Sequence, residues 1–223
     1  MNTIIILIFV IILLFYTNEC RENFVLEFCD EKEEYIKPTV HEGIITEEEA
    51  EYILKEAEKI FEQSEVVGTG VDLTSRRSST AWLRKKEDEK IRKIIQRICD
   101  LTNMPIENAE DLQVVKYLPN GYYRPHHDSC CDKNDACKKF EEDGGQRVVT
   151  MVIYLNDGFK GGETNFPNLK MRLKAPKCGG LLFYPLEKGG NRCHPHALHE
   201  GTDVIEGVKY IANVWIRENK FRE

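Results

Sequence analysis

The chain has 223 residues, 41% hydrophobic and 31% charged, with 15 Gly and 8 Pro, which excludes a disordered polymer and a multispan membrane protein and leaves one globular domain as the expectation. Lys and Arg number 31 against 38 Asp and Glu, a net charge of −7, and no basic tract exceeds Arg84-Lys85-Lys86, which argues against nucleic acid as a partner. A chain of this length can bury a full core, so its eight cysteines need an explanation other than stapling a miniature scaffold.

Residues 4–16 form an unbroken apolar or aromatic run, with no charge before Glu19. The run is shorter than the roughly 20 residues that span a bilayer and fits a targeting segment. Residues 1–20 read as a signal peptide or a signal anchor. The usual positive residue before the run and a small-x-small cleavage pattern before Cys20 are both missing, which leaves the two open. Either way the chain is expected to enter the secretory pathway, in the endoplasmic reticulum lumen or as a single-pass type II membrane protein. Its cysteines would then meet an oxidising compartment.

Residues 21–39 are charged and aperiodic around Asp30-Glu31-Lys32-Glu33-Glu34 and read as a spacer before a domain at 40–223. Thr46 and Glu49 make a capping-box pattern, and Ala50, Ile53, Leu54, Ala57 and Phe61 share one face, so a helix is predicted over 47–63. Ile91, Ile94, Ile95 and Ile98 repeat the spacing in a second predicted helix over 87–101, with Cys99 beside the stripe as a buried free thiol. After Pro105 the period becomes two. Strands are predicted at 112–118, 147–155, 180–184 and 209–216, between turn signals such as Asn120-Gly121, Gly161-Gly162 and Gly189-Gly190. Helices first and strands after suggest a mainly β (α+β) sandwich or jelly roll with supporting helices, not a doubly wound parallel sheet.

Five of the six histidines fall in two clusters, His126-His127-Asp128 and His194-Pro195-His196-Ala197-Leu198-His199. On an extended segment His126 and Asp128 point to the same side while His127 faces away. Two imidazoles and one carboxylate on one face of an octahedron leave three positions open, the arrangement that non-haem Fe(II) oxygenases need for a chelating co-substrate and O2. Ten residues after His199, Lys209 shares a strand face with Ile211, Asn213 and Trp215. A lysine among core residues calls for an anion, and a dicarboxylate chelating the metal at its other end suits; the competing reading is a surface lysine with a solvated head.

The segment Pro105 to Tyr117, followed by Gly121, Tyr123, Pro125, His126 and Asp128, is similar to the first ligand segment of the prolyl 4-hydroxylases, a family of Fe(II)- and 2-oxoglutarate-dependent dioxygenases. Gly145 to Asn156, Gly161 to Pro167, and Leu198-His199-Glu200-Gly201 through Val204, Gly207, Lys209 and Trp215 resemble the remaining family blocks in order, so the resemblance covers about residues 40–218. It implies a double-stranded β-helix core. It also implies His126, Asp128 and His199 as ligands of Fe(II), and Lys209 as partner of the distal carboxylate of the co-substrate 2-oxoglutarate, with Tyr117, Tyr154 and Thr164 nearby. Arg76 and Ser78 resemble the family's substrate loop, and Glu110, Arg147 and Trp215 match positions lining its peptide groove. The bland readings are a solvated strand-end charge for Arg147 and a core aromatic for Trp215.

The implied reaction consumes O2 and 2-oxoglutarate, releases succinate and CO2, and hydroxylates proline in proline-rich or collagen-like peptides, with an L-ascorbate requirement. A lysyl hydroxylase is the nearest alternative, although those relatives usually carry arginine where Lys209 stands. A non-catalytic peptide-binding jelly roll is the alternative from another class. No oligomeric state can be read from the sequence. Cys130, Cys131 and Cys137 lack the spacing of a structural zinc site, so a disulfide from Cys137 to one of the pair is expected over zinc. Cys178 and Cys193 flank the 181–184 run and are candidates to pair across it. His194 and His196 read as loop residues, and His127 as a surface or supporting group.

Overall fold

Apolar side chains on both faces of the strand runs require a layer on each side of the sheet they form, and two such layers are present. The computed structural model describes residues 35–222 apart from Val67, Thr69, Lys133 and Asn191. The apolar run at 4–16, expected to be a targeting segment, and the predicted spacer as far as residue 34 lie outside the described residues. Among those described, no helix is long and apolar enough to cross a membrane.

Helix α1 (Glu47–Ala57) starts at the predicted capping box: Thr46 Oγ1 accepts from the Glu49 amide at 3.1 Å, and Glu49 Oε2 accepts from the Thr46 amide at 2.9 Å. It ends earlier than predicted, because Glu62 and Gln63 leave the helix to pair with Thr80 and Ser79. Helix α2 (Glu89–Thr102) is capped by Asp88 and buries Ile91, Ile94, Ile95, Ile98 and Cys99. A third helix, α3 (Asp135–Glu142), was not predicted; Asn134 caps it within the cysteine-bearing loop.

The strands are β1 (Thr39–His41), β2 (Glu62–Gln63), β3 (Arg76–Arg77), β4 (Ser79–Leu83), β5 (Leu112–Tyr117), β6 (Tyr122–His126) and β7 (Arg147–Tyr154). They continue as β8 (Phe159–Gly161), β9 (Thr164–Phe166), β10 (Met171–Leu173), β11 (Gly180–Phe183), β12 (His199–Gly201), β13 (Val204–Gly207) and β14 (Lys209–Arg217). A major sheet has the order β1-β11-β7-β14-β5-β4-β2, a minor sheet β10-β9-β12-β6-β3, and β13 pairs with β8. Every pairing is antiparallel, as a jelly roll supported by helices requires.

One face of the major sheet, with Val114, Met151, Ile153, Ala212, Val214 and Ile216, packs on the isoleucines of α1 and α2. The opposite face, with Val115, Tyr117, Val152, Tyr154, Leu181 and Ile211, packs against Phe166 of the minor sheet. Burial on both faces explains why 147–155 reads as a nearly continuous apolar run.

The disulfides correct one expectation. Cys130 pairs with Cys137 as expected, but Cys193 pairs with Cys131 and not with Cys178. Cys178 stays a buried free thiol because it packs in the helix-side core, while Cys193 lies against the loop after Asp128. Cys99 is free as predicted, its thiol pushed up to about 12 by burial.

Separation of the two faces predicts their mutational behaviour. Ile98 is fully buried on the helix side, so Ile98→Ala should lower the unfolding free energy by about 2–5 kcal/mol. Urea titration checks this, and the divalent-metal affinity of the folded variant should match wild type. A parallel loss of metal affinity would contradict the separation.

Candidate active site

His126 ends β6, His199 opens β12, and the antiparallel register sets the two directly opposite each other. Their rings lie 4.4 Å apart between centroids. Asp128 sits two residues beyond the end of β6, with Oδ1 3.9 Å from His126 Nε2 and Oδ2 3.8 Å from His199 Nε2. One ligand atom from each of the three lies within 4.8 Å of the others.

Backbone carbonyls set the imidazole tautomers. His126 Nδ1 is 2.8 Å from Arg124 O and His199 Nδ1 is 3.0 Å from Ala197 O. A carbonyl only accepts, so both Nδ1 atoms donate and both Nε2 lone pairs face the shared space. Burial, then the neighbouring His199, pushes His126 well below its ordinary range, which favours the neutral, metal-binding form. Burial alone would raise the Asp128 carboxyl. His199, His126 and Arg147, together with the Thr150 hydroxyl that donates to Oδ2 at 2.7 Å, overcome that and hold it below its ordinary value. Two imidazoles with Nε2 turned to the shared space and an ionised carboxylate around one point fit a divalent metal of the Fe(II) kind.

The cavity beside the triad has a volume of about 790 Å³. Lys209, Tyr117 and Thr164 line one part of it. Lys209 is 2% exposed, and its Nζ stands 5.1 Å and 5.3 Å from the Tyr117 and Tyr154 ring centroids. That burial overturns the surface-lysine reading, and among the described residues no carboxylate pairs with it. Burial pulls its ammonium down to about 7. Gly162 makes room for the lysine stem: its φ is +68°, and a Cβ there would meet Lys209 Cδ at 3.0 Å. Tyr154 is buried behind this wall, its hydroxyl 3.0 Å from Thr164 Oγ1.

Arg76, Arg147 and Trp215 also line the cavity. Ser78 and Glu110 stand behind two of them: Ser78 Oγ accepts from Arg76 Nε at 2.9 Å, and Glu110 accepts from Arg147 Nε and Nη2 at 2.6 and 2.8 Å. Glu110 also accepts from Arg217 Nε at 2.8 Å. The Arg147 guanidinium covers the Trp215 ring at 3.5 Å and pairs with Glu110, so it is a half-buried, paired group and not a solvated strand-end charge. Trp215 is both a buried aromatic and part of the cavity wall.

His127, expected to face away, is half-buried and contributes to the same wall. The strand ends at His126, so strict alternation no longer applies one residue later. His194 and His196 fall at the turn 194–197, as expected of loop residues. Two contributors had no role assigned from the sequence. Thr150, whose strand parity with Val152 and Tyr154 puts it on a face that could line the pocket, orients Asp128. Trp82, whose ring lies 6.1 Å from Trp215, sits on the short strand β4.

Comparison with known proteins agrees with this geometry. The sequence model of the 2OG-Fe(II) oxygenase superfamily matches residues 112–217. A protein of Acanthamoeba polyphaga mimivirus, provisionally named a prolyl 4-hydroxylase, is 47% identical over 189 residues, covering 84% of this chain and 76% of its own. Prolyl 4-hydroxylase 5 of Arabidopsis thaliana is 32% identical over 209 residues, covering 83% and 70%. The crystal structure of a viral collagen prolyl hydroxylase from Paramecium Bursaria Chlorella virus-1, in its 2OG complex, superposes with a TM-score of 0.64 at 30% identity, covering 85% of this chain and 97% of that one. The chain belongs to the prolyl 4-hydroxylase family of 2-oxoglutarate- and Fe(II)-dependent dioxygenases.

Proposed function

We propose that the chain is a peptidyl-proline 4-hydroxylase acting on proline-rich or collagen-like peptides, with residues 40–223 as its catalytic domain. The observation that carries this reading is a His-Asp-His triad sharing one cavity with a buried lysine that pairs with no carboxylate among the described residues. His126, Asp128 and His199 would hold Fe(II). Bound Fe(II) and 2-oxoglutarate supply the O2-dependent oxidation that converts a prolyl C–H bond to C–OH, with release of succinate and CO2.

The protein's own part is positioning. Lys209 takes the distal carboxylate of 2-oxoglutarate in a charge-assisted pair, replacing the water that burial has removed from its ammonium. Tyr117, and Tyr154 through Thr164, bound that end of the cavity and fix the co-substrate's direction. Arg147, held by Glu110, and Arg76, held by Ser78, present charge and donors to a peptide backbone, and Trp215 adds an aromatic wall to the groove. L-ascorbate would keep the metal in its reduced form. The disulfides and the apolar run at 4–16 support a place in the secretory pathway, as a luminal or membrane-anchored enzyme.

Purified protein given Fe(II), 2-oxoglutarate, ascorbate and a proline-rich peptide should add the mass of one oxygen atom to proline and form succinate in step. Absence of both products would contradict the reading, as would wild-type turnover by His199→Ala.

Lys209→Met should weaken 2-oxoglutarate binding by about 2–5 kcal/mol while metal affinity is kept. The pH dependence has a defined sign. Only the ammonium form binds the dicarboxylate, and the free site titrates at about 7. Affinity should therefore be full below that value and fall by about tenfold per pH unit above it, with proton uptake seen by calorimetry. Affinity independent of pH across this range would refute the assignment. Thr150→Val removes the hydroxyl that orients Asp128 and should lower Fe(II) affinity by about 10–100-fold.

A further inference from the structure

The three triad residues are not held in the same way. His126 and His199 lie in strands and face each other in register, so the minor sheet itself fixes their separation. Asp128 lies beyond the last residue of β6 and belongs to no strand. Its backbone position depends on how residues 129–131 are anchored.

Those three residues carry three successive fastenings. Ser129 Oγ donates to Arg147 O at 2.6 Å. The buried Gln146 side chain grips the Cys130 backbone in both directions, accepting from its amide at 2.9 Å and donating to its carbonyl at 2.6 Å. Cys131 is then covalently joined to Cys193, 62 residues away. Cys193 immediately precedes the turn whose Ala197 carbonyl sets the His199 tautomer. The bridge therefore ties the segment that carries Asp128 to the segment that orients His199. The Cys130–Cys137 bridge spans only seven residues and ties the loop after Asp128 to the first turn of α3.

We infer that the Cys131–Cys193 disulfide is a positioning element of the metal site, holding Asp128 at the distance from His199 that metal binding requires. A disulfide placed this way makes metal affinity depend on the oxidation state of the chain. The inference rests on the reading of His126, Asp128 and His199 as metal ligands, and the controls separate the two.

Co(II) titration of the full chain, followed by its d–d absorption, reads the affinity directly. Cys131→Ser/Cys193→Ser should bind Co(II) about 10–100-fold more weakly with circular dichroism unchanged, whereas Cys130→Ser/Cys137→Ser should stay within about threefold of wild type. A bridge that is only structural would lower the melting temperature and leave Co(II) affinity and spectrum alone. Wild-type affinity in the Cys131/Cys193 variant overturns the inference. Asp128→Ala is the control for the parent reading: Co(II) binding that survives it unchanged overturns the ligand assignment itself. Should the double variant not fold, wild-type protein opened with a water-soluble phosphine carries the test. The phosphine gives up two electrons and takes oxygen from water, whose two protons complete the two thiols. Mass spectrometry identifies the opened bridge, and unchanged Co(II) affinity with Cys131 and Cys193 reduced again overturns the inference.

Discussion

Register between β6 and β12 is the constraint on which the site depends. His126 and His199 face each other across one antiparallel pair, and side chains alternate along a strand, so a slip of one residue would turn one imidazole out of the cavity. The register is pinned by its surroundings: Tyr123 stacks on His126 at 3.5 Å, and Phe183 and Phe166 close on His199 at 4.7 and 5.7 Å. The carbonyls of Arg124 and Ala197 then choose which nitrogen of each ring is free. Packing, backbone hydrogen bonding and ligand geometry therefore solve the same problem.

The major sheet carries the other half of the site on the face turned from the helices. Its helix side is a conventional apolar layer, and this lets β14 place a lysine on the opposite side without losing the core. Burying an ammonium that no carboxylate among the described residues pairs with works against stability, and the same burial pulls the Lys209 titration down. Such a group is retained where a ligand completes it, the role that the proposed function gives to the distal carboxylate of the co-substrate beside the Tyr117 and Tyr154 rings. Glu110 serves the opposite purpose. Burial alone would raise its carboxyl, but Arg147 and Arg217 keep it ionised, so the guanidinium at the cavity wall is held by a partner that stays charged.

Much of this was legible from residue order because strands convert spacing into direction. His126, Asp128 and Lys209 declared themselves through parity, and His199 through its place in a second histidine cluster. The isoleucine stripe of α2 and the capping box of α1 named their helices in the same way. The minor sheet was less legible because strands such as β9, β10 and β12 are three residues long, too short for periodicity. The partner of Cys193 was illegible for another reason: a disulfide depends on the distance between two loops, and local sequence carries no such distance. Thr150 and Trp82 show the same limit, since each acts on a residue far away in the chain.

The most direct measurement is an anaerobic titration of 2-oxoglutarate into the Fe(II)-loaded protein, monitored in the visible range. Chelation of a keto acid by Fe(II) produces a charge-transfer absorption that neither gives alone. The wild-type chain should develop this band with one equivalent of metal, Lys209→Met should need more 2-oxoglutarate to reach it, and His199→Ala should not form it. Absence of the band in the wild type, or an unchanged band in His199→Ala, would contradict the placement of metal and co-substrate in this cavity.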